Sequence, residues 1–249
     1  MKDWLIEIVK EAGLIADEYL AHGFSVKYKE NGTIVTSADL HIDRFLRGRI
    51  HGRFPDDGIL SEESVDNPSR TAWRRVWIVD PIDGTVAFSE KQPEFGILVA
   101  MCVDGRAVES VAHFPRMGLT LYGNVDQGAE VNGRPVSVSR SEAPQPKVAA
   151  LSRAHSHLHT AAGMPKNPAL ALFQVTTGEL DACILGCGPN TGEHDYAWAS
   201  CAVAAAGGRL TDATGKDLRY NKVMRTMPSI IVGSNGLVHD QVLQSLGGS

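Results

Sequence analysis

The segment Val76-Trp77-Ile78-Val79-Asp80-Pro81-Ile82-Asp83-Gly84-Thr85 leaves this chain the fewest options. Consecutive branched and aromatic residues predict a strand buried on both faces, with Asp80 delivered at its end. Pro81 fixes φ and Gly84 permits a tight turn, so the chain is expected to fold back and bring Asp83 beside Asp80, leaving backbone carbonyls and amides free at the tip. Two carboxylates forced together repel unless a cation lies between them, and hard oxygen donors suit Mg²⁺ better than a soft metal. A turn whose aspartates only cap backbone amides is the alternative at this stage.

A metal site needs more acids, and the sequence offers three further segments. Glu62 and Glu63 follow the short apolar stretch Ile59-Leu60. Asp195, after His194, precedes a small-residue helix over residues 197–206 that ends at Gly207-Gly208, which puts an acid at a helix N-terminus as a dipole partner or as a simple N-cap. Asp39, in Thr36-Ser37-Ala38-Asp39, reads as a first-turn acid of another helix.

Apolar residues at three-to-four spacing predict a helix over residues 4–20, ending near His22-Gly23. Residues 24–36 read as a hairpin with a two-residue turn at Asn31-Gly32. Ser37 is placed to cap a second helix through Ile50, with Leu40, Phe45, Leu46 and Ile50 facing inward. Strands follow at 76–79, 96–103, 107–114, 119–122 and 136–138. A polar joint at 139–147 leads to a second half with strands at 147–151, 181–185 and 229–232 and helices at 168–178 and 196–206. The class is mixed α and β in layers: an N-terminal half, 1–139, with most candidate ligands, and a C-terminal half, 140–249, packed as one unit.

Composition removes several function classes. With 24 Lys+Arg against 29 Asp+Glu, the formal charge of −5 has the wrong sign for a nucleic-acid binder. No apolar run approaches the roughly 20 residues of a membrane span, and Met1-Lys2-Asp3-Trp4 does not open a secretory segment, so no membrane partner is expected and the cytoplasm is the simplest compartment. Cys102, Cys183, Cys187 and Cys201 are scattered and read as reduced thiols.

Taken together, the acid-bearing segments resemble the inositol monophosphatase superfamily of magnesium-dependent, lithium-sensitive phosphomonoesterases. Residues 77–85 reproduce its WxxDPxDGT signature, Glu62-Glu63-Ser64 its EES segment, and Asp195 with the Ala-rich, Gly207-Gly208-ended helix its WDxAAG region. The resemblance covers nearly the whole chain. It implies an α+β fold, a layered αβαβα sandwich of the inositol monophosphatase and fructose-1,6-bisphosphatase type, and a homodimer. It also implies two or three Mg²⁺ ions, one held by Glu62, Asp80 and the carbonyl of Ile82, a second by Asp80, Asp83 and Asp195. Asp39 and Thr85, with Glu62, would orient and deprotonate the attacking water, while the Gly84 and Thr85 amides, with Asp83 and Asp195, would meet the small-molecule phosphate ester.

Departures from the family pattern bear on the substrate. Leu185 stands where inositol phosphatases carry a glutamate that grips hydroxyls, and His194 replaces the usual Trp after an enlarged loop containing Glu193. Arg153 leaves a strand end facing the presumed cleft, and His155, His157 and His159 read as an exposed loop rather than a transition-metal site. These features favour an apolar or cationic leaving group over myo-inositol 1-phosphate, with Glu193, His194 or Arg153 fixing it. The alternatives are histidinol phosphate, 3′-phosphoadenosine phosphates, a sugar bisphosphate and inositol 1-phosphate itself, with modest basic content arguing against the bis-anionic nucleotide. A phosphoaspartyl scheme of the haloacid dehalogenase type is disfavoured because its second acid stands two residues after the first, whereas Asp83 is three after Asp80. A magnesium-dependent binding module without activity is the non-enzyme alternative.

Overall fold

Alternation along the strands sorts the apolar residues into layers. The computed structural model describes residues 1–247. In chain order its elements are α1 (Lys2–His22), β1 (Val26–Tyr28), β2 (Ile34–Thr36), α2 (Ser37–Arg53), β3 (Gly58–Ser61), β4 (Arg75–Asp83), α3 (Thr85–Ser89) and β5 (Gly96–Val103). They continue with β6 (Arg106–Phe114), β7 (Leu119–Asn124), β8 (Gly128–Val131), β9 (Arg134–Val136), β10 (Val148–Leu151) and α4 (Pro168–Thr176). The chain closes with β11 (Ala182–Gly186), α5 (Glu193–Ala205), β12 (Arg209–Asp212), β13 (Ile230–Ser234) and α6 (His239–Leu246).

Strands β3 to β9 form a seven-stranded sheet in sequence order, with β3 and β4 parallel and the remaining neighbours antiparallel. A four-stranded sheet has the order β10-β11-β13-β12. On the large sheet, Trp77, Val79, Val99 and Val111 pack against Leu5, Ile8, Ile42 and Leu46 of α1 and α2. Their neighbours Val76, Ile78, Leu98 and Ala100 point to the other side, into a core shared with Leu172, Trp198 and Ala199 of α4 and α5. That core is closed by Cys183 and Leu185 of β11, whose neighbours Ala182 and Ile184 turn outward onto Val238 and Val242 at α6. The order is therefore helices, sheet, helices, sheet, helix: an α+β αβαβα sandwich.

The joint between the sheets is pinned rather than loose. Buried Asp181 accepts hydrogen bonds from Ser139 Oγ at 2.5 Å and from the Lys147 amide at 2.8 Å, and Asn235 Nδ2 donates to Ser139 Oγ at 2.9 Å.

Several local expectations change. The β1–β2 connection places Glu30, Asn31 and Gly32 between the Lys29 amide and the Thr33 carbonyl it donates to, and only Gly32 adopts positive φ (81°), so the turn is longer than two residues. Thr36, not Ser37, caps α2, because Asp39 reaches back to the Thr36 amide in a capping box. Leu40 is 39% exposed: the buried stripe of α2 repeats every fourth residue through Ala38, Ile42, Leu46 and Ile50, and Leu40 lies on the far side. The strand read at 136–138 ends at Val136, and β3, β8, β12 and α6 escape the sequence pattern because they are short and partly polar. All four cysteines are free, and among the described residues no helix is long and apolar enough to cross a membrane.

Helix α5 sits close to the large sheet because both surfaces are small. A Cβ on Gly123 of β7 would stand 2.8 Å from the Ala202 Cα of α5. Gly123→Ala is accordingly expected to destabilise the protein by about 1–3 kcal/mol through overpacking, lowering Tm by about 2–4 °C per kcal/mol. An unchanged melting temperature would show that the two layers yield at this point.

Candidate active site

Parallel pairing of β3 with β4 brings two acids to the same sheet edge. Ser61 is in register with Val79, and the Glu62 amide donates to the Val79 carbonyl at 3.1 Å, so the next residues along, Glu62 and Asp80, leave the sheet side by side. Strand β4 does not end there. It runs on to Asp83 through a bulge, with Asp80 opposite Leu98 and Asp83 opposite Gly96, where the sequence reading expected a fold-back turn. Pro81 has no amide hydrogen to offer the ladder, and the bulge absorbs that break while re-aiming Asp83. The turn comes one residue later, at Gly84, whose φ is 83° and whose missing Cβ would lie 2.9 Å from the Glu94 carbonyl oxygen. A side chain there would meet both strain and a clash.

The fourth acid arrives from the other half of the chain. Helix α5 begins at Glu193, earlier than the sequence pattern implied, so Asp195 is not its N-cap but lies inside the first turn. Its Oδ2 accepts the Gly192 amide at 2.6 Å. Asp80, Asp83 and Asp195 each offer an oxygen within 4.8 Å of the others, and Glu62, Asp80 and His194 form a second such group sharing Asp80.

This cluster is electrostatically incomplete. Asp80 Oδ1 and Asp83 Oδ2 are buried with no hydrogen-bond partner among the described residues. Burial first, then the charges of Glu62, Asp83 and Asp195, pushes the Asp80 pKa far above the usual carboxylate range. Burial and the charge of Asp195 push Asp83 up to about 8, and burial also raises Asp195. A cation seated among these oxygens would satisfy the orphaned atoms and remove the repulsion, so the donor set fits a hard divalent metal.

Beside the cluster stands a hydroxyl–carboxylate pair. Thr85 Oγ1 lies 3.2 Å from Asp39 Oδ1 and 3.1 Å from the Ile82 carbonyl oxygen, so its single proton has two acceptors. Asp39 is wholly buried, its Oδ2 accepts from the Thr36 amide at 2.9 Å and from the Thr36 hydroxyl, and burial raises its pKa.

The cleft above has a volume of about 330 Å³ and is lined by Lys29, Asn31, Glu62, Asn190, His194 and Arg225, among others. Sequence reasoning missed Lys29, which bridges Glu62 at 2.9 Å and Glu63 at 2.6 Å from the β1–β2 hairpin. Burial lowers its pKa, but the hydrogen bond to Glu63 and the charge of Glu62 outweigh that and raise it. Burial and Glu62 in turn lift Glu63 to about 7. Arg225 was missed as well; its nearness to Glu62 and His194 depends on an isolated bridge between Gly192 and Thr226 that no local pattern announces.

Three expected substrate contacts lie elsewhere. Leu185 is fully buried in the core between the sheets, because its position on β11 faces α4 and α5 rather than the cleft. Glu193 is fully buried too, and its carboxylate accepts the Asn221 amide at 2.6 Å and the Lys222 amide at 3.0 Å, fixing the loop that carries Arg225. Arg153 is exposed at the start of a 3₁₀ stretch, Arg153–Leu158, and does not line the cleft. In that stretch His155 Nδ1 pairs with Ser152 Oγ at 3.0 Å, and just beyond it His159 Nδ1 accepts the Ala150 amide at 3.3 Å; neither belongs to a cluster of potential metal ligands among the described residues.

The model of the inositol monophosphatase family matches residues 1–248. The 3'(2'),5'-bisphosphate nucleotidase CysQ of Aggregatibacter actinomycetemcomitans is 30% identical over 88% of this chain and 86% of its own. The histidinol-phosphatase of Chlorobaculum parvum is 36% identical, but that match spans only about half of each protein, 54% of this chain and 51% of the relative. Among solved structures, the Thermotoga maritima IMPase superposes with a TM-score of 0.83 at 26% identity, covering 98% of this chain and 95% of that one.

Raised carboxyl pKa values give a stability prediction. Asp83, and Asp80 with it, stays protonated in the metal-free fold at pH values where the unfolded chain is ionised, so their contribution is full below the unfolded pKa and is lost as pH rises through the folded one. The metal-free protein is therefore expected to melt at progressively lower temperature from about pH 5 to about pH 8, with Mg²⁺ restoring the loss and Asp80→Asn raising the metal-free Tm near pH 8. A metal-free melting temperature that is flat across this range would contradict the repulsion inferred among the acids.

Proposed function

Since the chain belongs to the inositol monophosphatase family, whose members are phosphoric monoester hydrolases, we propose that it hydrolyses a small-molecule phosphate monoester with Mg²⁺ by direct attack of water on phosphorus. The observation that carries this reading is the pair of buried, unpartnered oxygens on Asp80 and Asp83, ringed by further carboxylates. Glu62, Asp80 and the Ile82 carbonyl would hold one cation, and Asp80, Asp83 and Asp195 a second. Bound there, Mg²⁺ neutralises the charge on the phosphoryl oxygens and acidifies water.

The chain's own residues then handle the nucleophile and its proton. Thr85 Oγ1 accepts a proton from the attacking water while passing its own to Asp39 Oδ1, 3.2 Å away. Burial raises the Asp39 pKa, which suits it to hold that proton. The water oxygen bonds to phosphorus as the bond to the leaving oxygen breaks, and the leaving oxygen takes a proton from solvent water while the proton held by Asp39 is returned to solvent. The Gly84 and Thr85 amides, at the start of α3, orient the phosphoryl oxygens.

For the leaving group, the cleft supports a different preference from the one read in the sequence. Leu185 supplies no apolar wall, and Glu193, already bonded to the Asn221 and Lys222 amides, supplies no free carboxylate for a cation. The outer wall offers Asn31, Asn190, Thr191 and Arg225 instead. A leaving group bearing hydroxyls and a second anionic group fits this wall better than an amine. Modest basic content of the whole chain speaks against a bis-anionic nucleotide, but local charge at the cleft decides recognition.

Phosphate release from a panel of monoesters tests the reading. Activity is expected to vanish in chelator, to return with Mg²⁺ and to be inhibited by lithium. Asp80→Asn and Asp195→Asn are each expected to lower kcat by about 100- to 1,000-fold in a folded protein, the loss typical of a group that stabilises transition-state charge. A sugar or nucleoside bisphosphate is expected to exceed histidinol phosphate in kcat/KM, and Arg225→Ala to reduce that advantage by about tenfold. Turnover of no phosphomonoester would favour a binding module instead, and a best rate on histidinol phosphate would reverse the leaving-group assignment.

A further inference from the structure

We propose that the imidazole of His194 is itself a ligand of the cation at Glu62 and Asp80, and that it gives this site a preference for a nitrogen-accepting divalent ion such as Mn²⁺ over Mg²⁺. The inference rests on reading the acid cluster as a cation site. One ring nitrogen of His194 lies within 4.8 Å of the ligand oxygens of both Glu62 and Asp80. Asp80 is 2% exposed, and one of its oxygens, Oδ1, is buried without a hydrogen-bond partner among the described residues. Neither ring nitrogen of His194 makes a hydrogen bond among the described residues; Asp195 Oδ2 stands 3.5 Å from Nε2, and the side chain is only 13% exposed. A largely enclosed imidazole with unused nitrogens beside an unsatisfied carboxylate has the chemistry of a ligand.

The position of the ring is built rather than incidental. A Cβ on Gly192 would lie 2.4 Å from the His194 Cε1 and 2.8 Å from its Nδ1. The φ of Gly192, −123°, is ordinary for any residue, so its lack of a side chain is explained by room for the ring and not by backbone freedom. The same glycine donates its amide to Asp195 Oδ2 at 2.6 Å. Imidazole and carboxylate are thus set by one residue.

Ligand type decides which ion gains. Mg²⁺ prefers oxygen donors and sheds water reluctantly, whereas the later first-row cations bind imidazole increasingly well. Replacing one oxygen position by a ring nitrogen therefore weakens the hold on Mg²⁺ relative to Mn²⁺. The family pattern places an indole at position 194, and an indole cannot ligate, so the preference would be a property of this chain.

Pulsed EPR of Mn²⁺ bound to the full-length chain tests the proposal without reference to turnover. The wild type is expected to show nitrogen hyperfine coupling to Mn²⁺, with the ¹⁴N pattern replaced by ¹⁵N in protein labelled at histidine. His194→Gln and His194→Trp are expected to lose the coupling and to weaken Mn²⁺ binding by about 10- to 100-fold in calorimetry, with a smaller change for Mg²⁺. Mn²⁺ binding without nitrogen coupling in the wild type would overturn the proposal and leave the carboxylate site standing. Failure of both Mn²⁺ and Mg²⁺ to bind would overturn the cation site and the proposal together. The labelled wild type gives its answer even if neither variant folds.

Discussion

Like charges held together below the surface are the constraint on which this molecule turns. Asp80, Asp83, Asp195 and Glu62 converge at the base of the cleft, and buried oxygens of Asp80 and Asp83 face nothing that donates. Left so, burial and mutual repulsion push the carboxyls of Asp80, Asp83 and Asp195 above the usual carboxylate range. A divalent cation seated among these oxygens would resolve the conflict, and the repulsion it relieved would add to its affinity.

Such a cluster persists only if its scaffold cannot relax away from it. Trp77 Nε1 donates to buried Asp57 at 2.7 Å, and Arg75 Nε donates to the same carboxylate, which fixes the start of the strand that carries Asp80 and Asp83. Ser61 Oγ donates to Asp43 at 2.6 Å, tying the residue before Glu62 to α2. From the C-terminal half, α5 is held against the sheet by the Gly123 contact, and its first turn carries Asp195. Lys29, on a small hairpin, meanwhile meets Glu62 and Glu63 with its ammonium group, placing positive charge beside the acids.

Much of this was legible in the sequence, and the divisions follow physical lines. The motif from Trp77 to Thr85 encodes a buried strand and closely spaced acids through local rules, so the cluster could be read before its geometry was known. The mixed α and β class followed from periodicity, because the long helices and the β5 and β6 strands have patterns that tertiary packing reinforces, whereas the αβαβα layer order came from the family resemblance. Leu185 and Glu193 were legible as types but not as directions. One step along β11 separates the core from the edge, and Glu193 is turned inward by amides of residues 28 and 29 positions away. Lys29 meets Glu62 and Glu63, 33 and 34 positions away, and Arg225 is brought in by the bridge between Gly192 and Thr226, contacts that no local pattern records.

Calorimetric titration of Mg²⁺ into the metal-free protein near pH 7, in two buffers of different ionisation enthalpy, measures binding and proton release together. Since burial and neighbouring charge push Asp83 up to about 8 and Asp80 well above the usual carboxylate range, cations seated among the carboxylates should displace protons to the buffer. Asp80→Asn should remove the binding. Mg²⁺ bound with no proton released, or bound equally well after Asp80→Asn, would contradict a cation site made from these carboxylates.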